Sequence, residues 1–272
     1  MKPLLIVCFF TALIHFTETL ALSMRLAGVR TRQVATSLSF LTSALLVSRM
    51  SNMLQAPFLG GMVDTAILKH LPDALGSQFR LIIFSAFWGS LIGALFLPTF
   101  VKISIKGILL FEKMGSIPRL LWQVLRHPNW HEFFSCFRFP RIPSLSDLSL
   151  HNIPKWFLVF NLFIGSLYAI GVLVSLYAGA HIPEYRTTAS QLSGIVNGIA
   201  TILLALMVDP TGAWVTDQAV QGKRPEKDVR TVVFYLVAGR VVGTLLLSQL
   251  LFIPGTEYIK MVTVWLKVVA FH

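Results

Sequence analysis

The sequence predicts an all-α polytopic membrane protein of about six transmembrane helices, arranged as two inverted-topology three-helix repeats. Three observations carry this expectation. Charged residues are only 13% of the chain against 55% hydrophobic, with a mean hydropathy of +0.71; soluble domains carry roughly 25% charged residues. Six apolar runs each reach the ~20 residues that cross ~30 Å of hydrocarbon. The runs of the two halves also resemble each other, as an internal repeat does.

The first run, residues 3–24, begins after Lys2 and ends near Ala21-Leu22-Ser23, in outline like a signal peptide. His15 and Glu18 within it, and Arg25, Arg30 and Arg32 just after it, argue for a retained helix. The remaining spans are 34–58, 81–101, 156–178, 191–212 and 231–253. Lipid offers the backbone no hydrogen-bond partner, so each is expected to be helical. The chain divides into a first repeat (1–101), a basic aromatic loop (102–155), a second repeat (156–253) and an interfacial tail (254–272).

Charge orients the spans. With the N-terminus outside, connections 25–33, 102–155 and 213–230 are cytoplasmic and hold 3, 8 and 4 Lys/Arg, whereas the outer segments hold 6. The positive-inside rule therefore favours both termini outside. The overall excess, 23 Lys+Arg over 12 Asp+Glu, suits an anionic membrane surface. With no zinc-finger spacing and no RNA-binding signature, nucleic acid is not an expected partner. In loop 102–155, Lys106, Lys113, Arg119, Arg126 and Arg141 alternate with Trp122, Trp130, Phe133, Phe134 and Phe137. That pattern fits a segment lying on anionic lipid headgroups, broken by Pro128, Pro140, Pro143 and Pro154.

The repeat is clearest in spans three and six. Arg80-Leu-Ile-Ile-Phe84 and Arg230-Thr-Val-Val-Phe234 open them, and without a gap Gly89 meets Gly239 and Gly93 meets Gly243. Each span thus carries a Gly-x-x-x-Gly pair at the same depth, a pattern that permits close helix packing. Spans two and five match more loosely: Ala35-Thr-Ser-Leu-Ser39 parallels Ala189-Ser-Gln-Leu-Ser193, and Pro57 parallels Pro210, where each helix is expected to break. Three spans per half make the copies face opposite ways, a construction used by many secondary transporters.

Charges within the bilayer cost about 2.5–3.5 kcal/mol each at mid-depth, so they face protein or water. Counting ~1.5 Å per residue from the cytoplasmic ends puts Glu18 roughly 9 Å deep, Arg240 roughly 14 Å and Arg49 roughly 22 Å. Glu18 and Arg240 can pair, which accounts for both structurally. Arg49 has no carboxylate at its own depth; it either snorkels to the outer interface or stays available to an anionic group. Thr42, Arg49 and Asn52 share a helical face, with Ser48 and Gln55 on the adjoining strip. In span five, Ser193, Asn197 and Thr201 form a matching polar stripe; such groups bond helix to helix or, where two stripes face each other, line a cleft.

No catalytic constellation emerges. His127 and His131 have helical spacing, but Pro128 intervenes and no zincin glutamate lies between them, so no metal site is expected. There is no nucleotide loop or nucleophile elbow, hence no expected cofactor. Cys8 and Cys136 fall in different settings and predict no disulfide.

The string Glu18-Thr-Leu-Ala-Leu-Ser-Met-Arg-Leu-Ala-Gly-Val-Arg-Thr-Arg32 is followed by Leu46-Val-Ser-Arg-Met-Ser-Asn-Met-Leu-Gln-Ala-Pro57. Here the sequence resembles the Amj family of bacterial lipid II flippases, along the whole chain and most densely over residues 10–65. The resemblance implies translocation of an undecaprenyl-pyrophosphate-linked peptidoglycan precursor across the plasma membrane. Arginine's planar donor fork suits phosphate oxygens. On that reading Arg25, Arg30 and Arg32 capture the headgroup at the cytoplasmic mouth, unless they act only as topology determinants. Arg49, Asn52 and Gln55, with Asn197 opposite, guide it outward, and Glu18 sets the resting state through Arg240 or takes a proton. The rival expectations are a proton-coupled secondary transporter of a small anionic solute, and a scaffold that recruits partners through its basic loop.

Overall fold

The computed structural model describes residues 2–126, 129–140, 148 and 153–271, and every regular element among them is helical. Helix α1 (Lys2–Ala21) bends at Leu22 into α2 (Ser23–Thr31). Then follow α3 (Val34–Leu68), α4 (Pro72–Met114) and the short α5 (Ile117–Arg126) and α6 (Trp130–Ser135). The second half holds α7 (Lys155–His181), α8 (Arg186–Gln191), α9 (Ser193–Leu203), α10 (Asp209–Val220), α11 (Glu226–Val242) and α12 (Ser248–Phe271). Six continuous or nearly continuous rods, Lys2–Thr31, Val34–Leu68, Pro72–Met114, Trp156–His181, Pro183–Val220 and Glu226–Val269, are long and apolar enough to cross a membrane.

Local chemistry sets the ends. Arg32 adopts φ 57° and its N–H reaches the Gly28 and Val29 carbonyls, closing α2. Gly115, at φ 65°, closes α4 by donating to the Phe111 carbonyl, a left-handed position glycine fills without steric cost. Pro72 starts α4, where the N–H it lacks would have had no partner.

Three expectations need correction. Span three is not confined to 81–101: α4 runs 43 residues and takes up the start of the expected loop. Residues 254–271 continue α12 past Pro254 and do not form a separate tail. Pro57 does not break α3, whereas Pro210 follows a widened π turn, Leu204–Val208, that separates α9 from α10. A proline removes one N–H from the ladder, and a neighbouring turn can widen to absorb the loss. A second π turn, Gly243–Leu247, joins α11 to α12. Of the loop's features, His127, Pro128, Arg141 and Pro143 lie outside the described residues.

The two halves pack by one pattern. In the first, α1 lies between α3 and α4; in the second, α7 lies between α9 and the α11–α12 rod. Gly89 approaches the Ala12 backbone so closely that a Cβ would collide with its carbonyl, and Gly93 sits against Phe16 and Thr19. Gly239 and Gly243 lie likewise against Asn161, Leu162 and Ser166 of α7. The interval from Ala12 to Gly89 equals that from Leu162 to Gly239, and Phe16 to Gly93 equals Ser166 to Gly243. Both Gly-x-x-x-Gly pairs therefore serve the contact the sequence predicts, each gripping the first helix of its own half.

Apolar packing is split between the ends of the bundle. One cluster gathers Val7, Leu59, Phe79, Ile83, Val174 and Phe252; the other gathers Leu26, Val101, Phe157, Val208, Val233 and Leu236. Between them, at mid-height, the same helices present Thr11, His15, Glu18, Ser48, Gln55, Tyr168 and Arg240. Spans two and five are the least enclosed, 17% buried each over their most apolar stretch against 50% for span four. They form the open edges of the bundle, with α1 and α7 behind them.

Candidate functional site

The polar mid-layer is organised around one carboxylate. Arg240 of α11 donates through Nη1 to Glu18 Oε2, and Ser48 of α3 donates to Glu18 Oε1 at 2.7 Å. One α1 side chain thus ties α3 of the first half to α11 of the second. The pair is partly accessible, 21% for the Arg240 side chain and 25% for Glu18, so it is sheltered without being sealed. An ion pair joined by further hydrogen bonds is how charges are tolerated at this depth.

A second chain of bonds runs beside it. Thr11 donates to Gln55 Oε1 at 2.8 Å, and Gln55 Nε2 donates to Asn52 Oδ1 at 3.0 Å. Across from them Tyr168 of α7 shares a 2.7 Å hydrogen bond with Thr201 of α9. A cavity of ≈ 60 Å³ lies between these groups, lined by Thr11, Ile14 and His15 of α1, Asn52 and Gln55 of α3, and Tyr168 and Val172 of α7. Its walls come from both halves, and Leu59, Ile82, Ala169 and Leu173 complete them with apolar surface.

The face of α3 differs in detail from the sequence reading. Ser48, Ser51, Gln55 and Leu59 are buried against the bundle, while Thr42, Arg49 and Asn52 are exposed. The inward strip is the adjoining one, Ser48 and Gln55; Arg49 stands one residue from Ser48, on the exposed side of α3, with no ion pair among the described residues. Asn197 packs against α7. Its Oδ1 is buried against Gly171 of α7 and has no hydrogen-bond partner among the described residues. Thr201, one turn on, is the α9 residue that reaches Tyr168.

The arginines expected at the mouth behave differently from one another. Arg25 is only 6% exposed, and its Nη2 donates to Asp209 Oδ1 at 2.8 Å. Gly212 makes room for it: a Cβ there would come within 2.7 Å of Arg25 Nη1. Arg25 is therefore buried and bonds α2 to α10. Arg30 donates through Nε and Nη2 to Glu226 Oε1, an oxygen it shares with Arg230. Arg32 is exposed at the end of α2. At the opposite end of the bundle the halves meet through Arg186 and Asp64 at 3.2 Å and through His181 and Asp73 at 3.2 Å.

Tyr168 and His15 went unread in the sequence as site residues. A tyrosine inside an otherwise apolar span, and a histidine one turn before a glutamate, are the signals that point to them. Among the described residues no three His, Cys, Asp or Glu side chains gather as metal ligands, and Cys8 and Cys136 are both free.

The family described as "Amj: Alternate to MurJ" matches residues 10–263. Lipid II flippase Amj of Bacillus subtilis (strain 168) is 41% identical over 265 residues, covering 97% of this chain and 97% of that protein. No solved structure matches.

Proposed function

The chain belongs to the Amj family, and on that premise we propose that it is a flippase carrying lipid II across the bacterial plasma membrane for cell-wall synthesis. It is a multi-pass membrane protein and a transporter by kinship. The substrate's isoprenoid tail stays in the bilayer while its sugar-peptide head and anionic pyrophosphate cross. The observation that carries the reading is the partly accessible Glu18–Arg240 pair, a cation held where the two halves meet, and the groove for the head is read as running between them. Arg240 and the exposed Arg49 offer phosphate oxygens a planar donor fork, while Asn52, Gln55 and Thr201 supply neutral hydrogen bonds along the way. Arg30 and Arg32, at the end of α2, meet the head first; Arg25 acts at one remove, by holding α2 to α10.

The halves are read as inverted copies, supported by the equal glycine intervals and by three spans in each. Lysine and arginine counts support both termini outside and α5–α6 inside. There α5 lies on the inner leaflet: Leu121, Trp122 and Leu125 are 53%, 66% and 77% exposed along one strip, which Arg119 and Arg126, one turn either side of Trp122, border toward the headgroups. The test is reconstitution of the full chain into vesicles with fluorophore-labelled lipid II, following the head's exposure to an external quencher. Exposure that depends on the protein supports the reading. Uptake of a soluble phosphorylated solute without head exposure supports a small-anion transporter instead.

A further inference from the structure

We propose that His15 and the small cavity beside it form a proton-binding site, and that proton binding there releases Arg240 from Glu18 toward the substrate's phosphates. The inference rests on the flippase reading and adds what controls the cation in the groove.

The geometry begins with an unspent group. His15 is 4% exposed, and its Nδ1 is inaccessible and has no hydrogen-bond partner among the described residues. A neutral imidazole carries one donor and one acceptor, and buried polar atoms of this kind are normally paired. Here the ring instead borders a cavity whose other polar walls are Thr11, Asn52, Gln55 and Tyr168. Thr11, Gln55 and Asn52 are already engaged with one another, and Tyr168 with Thr201. The imidazole is the basic group of that lining, and histidine is the side chain whose charge its surroundings most readily switch.

Its surroundings give the proton a consequence. His15 precedes Glu18 by three residues, which places both on one side of α1, and it interacts electrostatically with Glu18 and with Arg240. The charged and titratable groups about it are Glu18 on α1, Arg240 on α11 and Tyr168 on α7. From α3 the cavity receives the neutral Asn52 and Gln55, and from α4 the apolar Ile82; Arg49 of α3 is exposed and does not line it. With His15 neutral, Glu18 and Arg240 cancel. With His15 protonated, the cluster carries one net positive charge and Glu18 has a second cation to satisfy.

The carboxylate's oxygens are divided between Arg240 and Ser48. A protonated His15 competes for that charge and loosens Arg240. The freed guanidinium then meets a pyrophosphate in the groove, and loss of the proton returns it to Glu18. Proton occupancy thereby sets whether the groove attracts or dismisses an anionic head. A sodium ion fits this site less well, because two of the three carbonyl and hydroxyl oxygens of the Thr11–Gln55–Asn52 chain already accept hydrogen bonds and an imidazole nitrogen is a poor sodium ligand.

The experiment uses the full chain in vesicles with labelled lipid II, comparing wild type, His15→Gln and His15→Asn after each is shown to insert and fold. Between about pH 4 and 8 the wild-type rate is expected to vary, by up to about tenfold per unit, while both variants give a flat profile. Replacing sodium by potassium is expected to change nothing; a sodium requirement overturns the proposal. In parallel, histidine-labelled protein is followed by NMR, the His15 signal being assigned by its loss in His15→Gln. A His15 resonance that titrates, and that moves in Glu18→Gln, supports the site. Wild-type flipping with an unaltered pH profile in both variants overturns the proton site and leaves the flippase reading intact. Absence of wild-type flipping beside a titrating His15 overturns the flippase reading and the step at the phosphates, while the proton site itself stands. A His15 that stays neutral throughout overturns the proposal whatever the flux.

Discussion

Arg25 and Asp209 meet at 2.8 Å with very unequal shelter, the arginine side chain 7% exposed and the aspartate 53%. The bond ties α2 to α10, hence the first half to the second, at the end of the bundle that also carries Arg30 and Glu226. A charge buried this deeply and stripped of its partner is costly, on the order of 3 kcal/mol when one member of a buried pair is removed. Asp209→Ala is therefore expected to lower the thermal unfolding midpoint in detergent markedly, and Arg25→Met to be milder, since it leaves no buried charge behind. Equal and small shifts for both would show that the pair contributes little to holding the halves together.

Glu18 and Arg240 should behave otherwise. Both are partly accessible, so Glu18→Gln and Arg240→Gln are expected to leave the unfolding midpoint within a few degrees of wild type while cutting lipid II flipping by more than about tenfold, or ~1.4 kcal/mol in barrier terms. A double-mutant cycle on flipping rates measures their coupling. Additive losses would mean that the two side chains act separately.

The glycine contacts predict an asymmetry. A methyl group at Gly89 meets the Ala12 backbone, whereas one at Gly239 meets the end of the Asn161 side chain. Backbone cannot step aside; an amide can, at the cost of its bonds to the Tyr235 and Leu236 carbonyls. Gly89→Ala is expected to destabilise by about 2–3 kcal/mol and Gly239→Ala by about 1 kcal/mol, read from unfolding of the purified protein in detergent.

Arg49 stands exposed beside Ser48, and its removal leaves no buried partner behind. Arg49→Gln should keep full stability and reduce flipping several-fold, whereas Ser48→Ala, which takes one hydrogen bond from Glu18, should cost about 1 kcal/mol. Full flipping by Arg49→Gln would remove Arg49 from the path.

Surface placement of α5 can be read with a probe. In a background with Cys8 and Cys136 changed to serine, a spin label at Leu125→Cys is expected to be reached by dissolved oxygen from lipid, and one at Gln123→Cys by an aqueous nickel complex. Both labels in water would detach α5 from the bilayer. Thiol labelling of Lys69→Cys in intact cells, with Gln123→Cys reacting only after permeabilisation, checks the orientation.

Much of this was legible in the chain because lipid imposes few choices. Runs of apolar residues must become helices, so the six spans could be read, and the glycine register between Gly89 and Gly239 needed no gap. Span ends were read short, since hydropathy falls where charges begin although α4 continues to Met114. Which strip of α3 turns inward is not legible from spacing. Spacing alone grouped Arg49 with Asn52, but only packing against α1 shows that Ser48 and Gln55 turn inward. Asn197 belonged to a stripe in sequence, and its contact with Gly171 depends on the neighbouring helix, which spacing does not record.

The widened turn at Leu204–Val208 carries a consequence of counting, not of chemistry. Five residues occupy a stretch of helix that ordinary winding would complete with four, and each residue advances the winding by about 100°. Any apolar side chain can stand in for those present, and deleting one would let the stretch close into an ordinary turn with Asp209 still toward Arg25. What this segment stores is one spare residue.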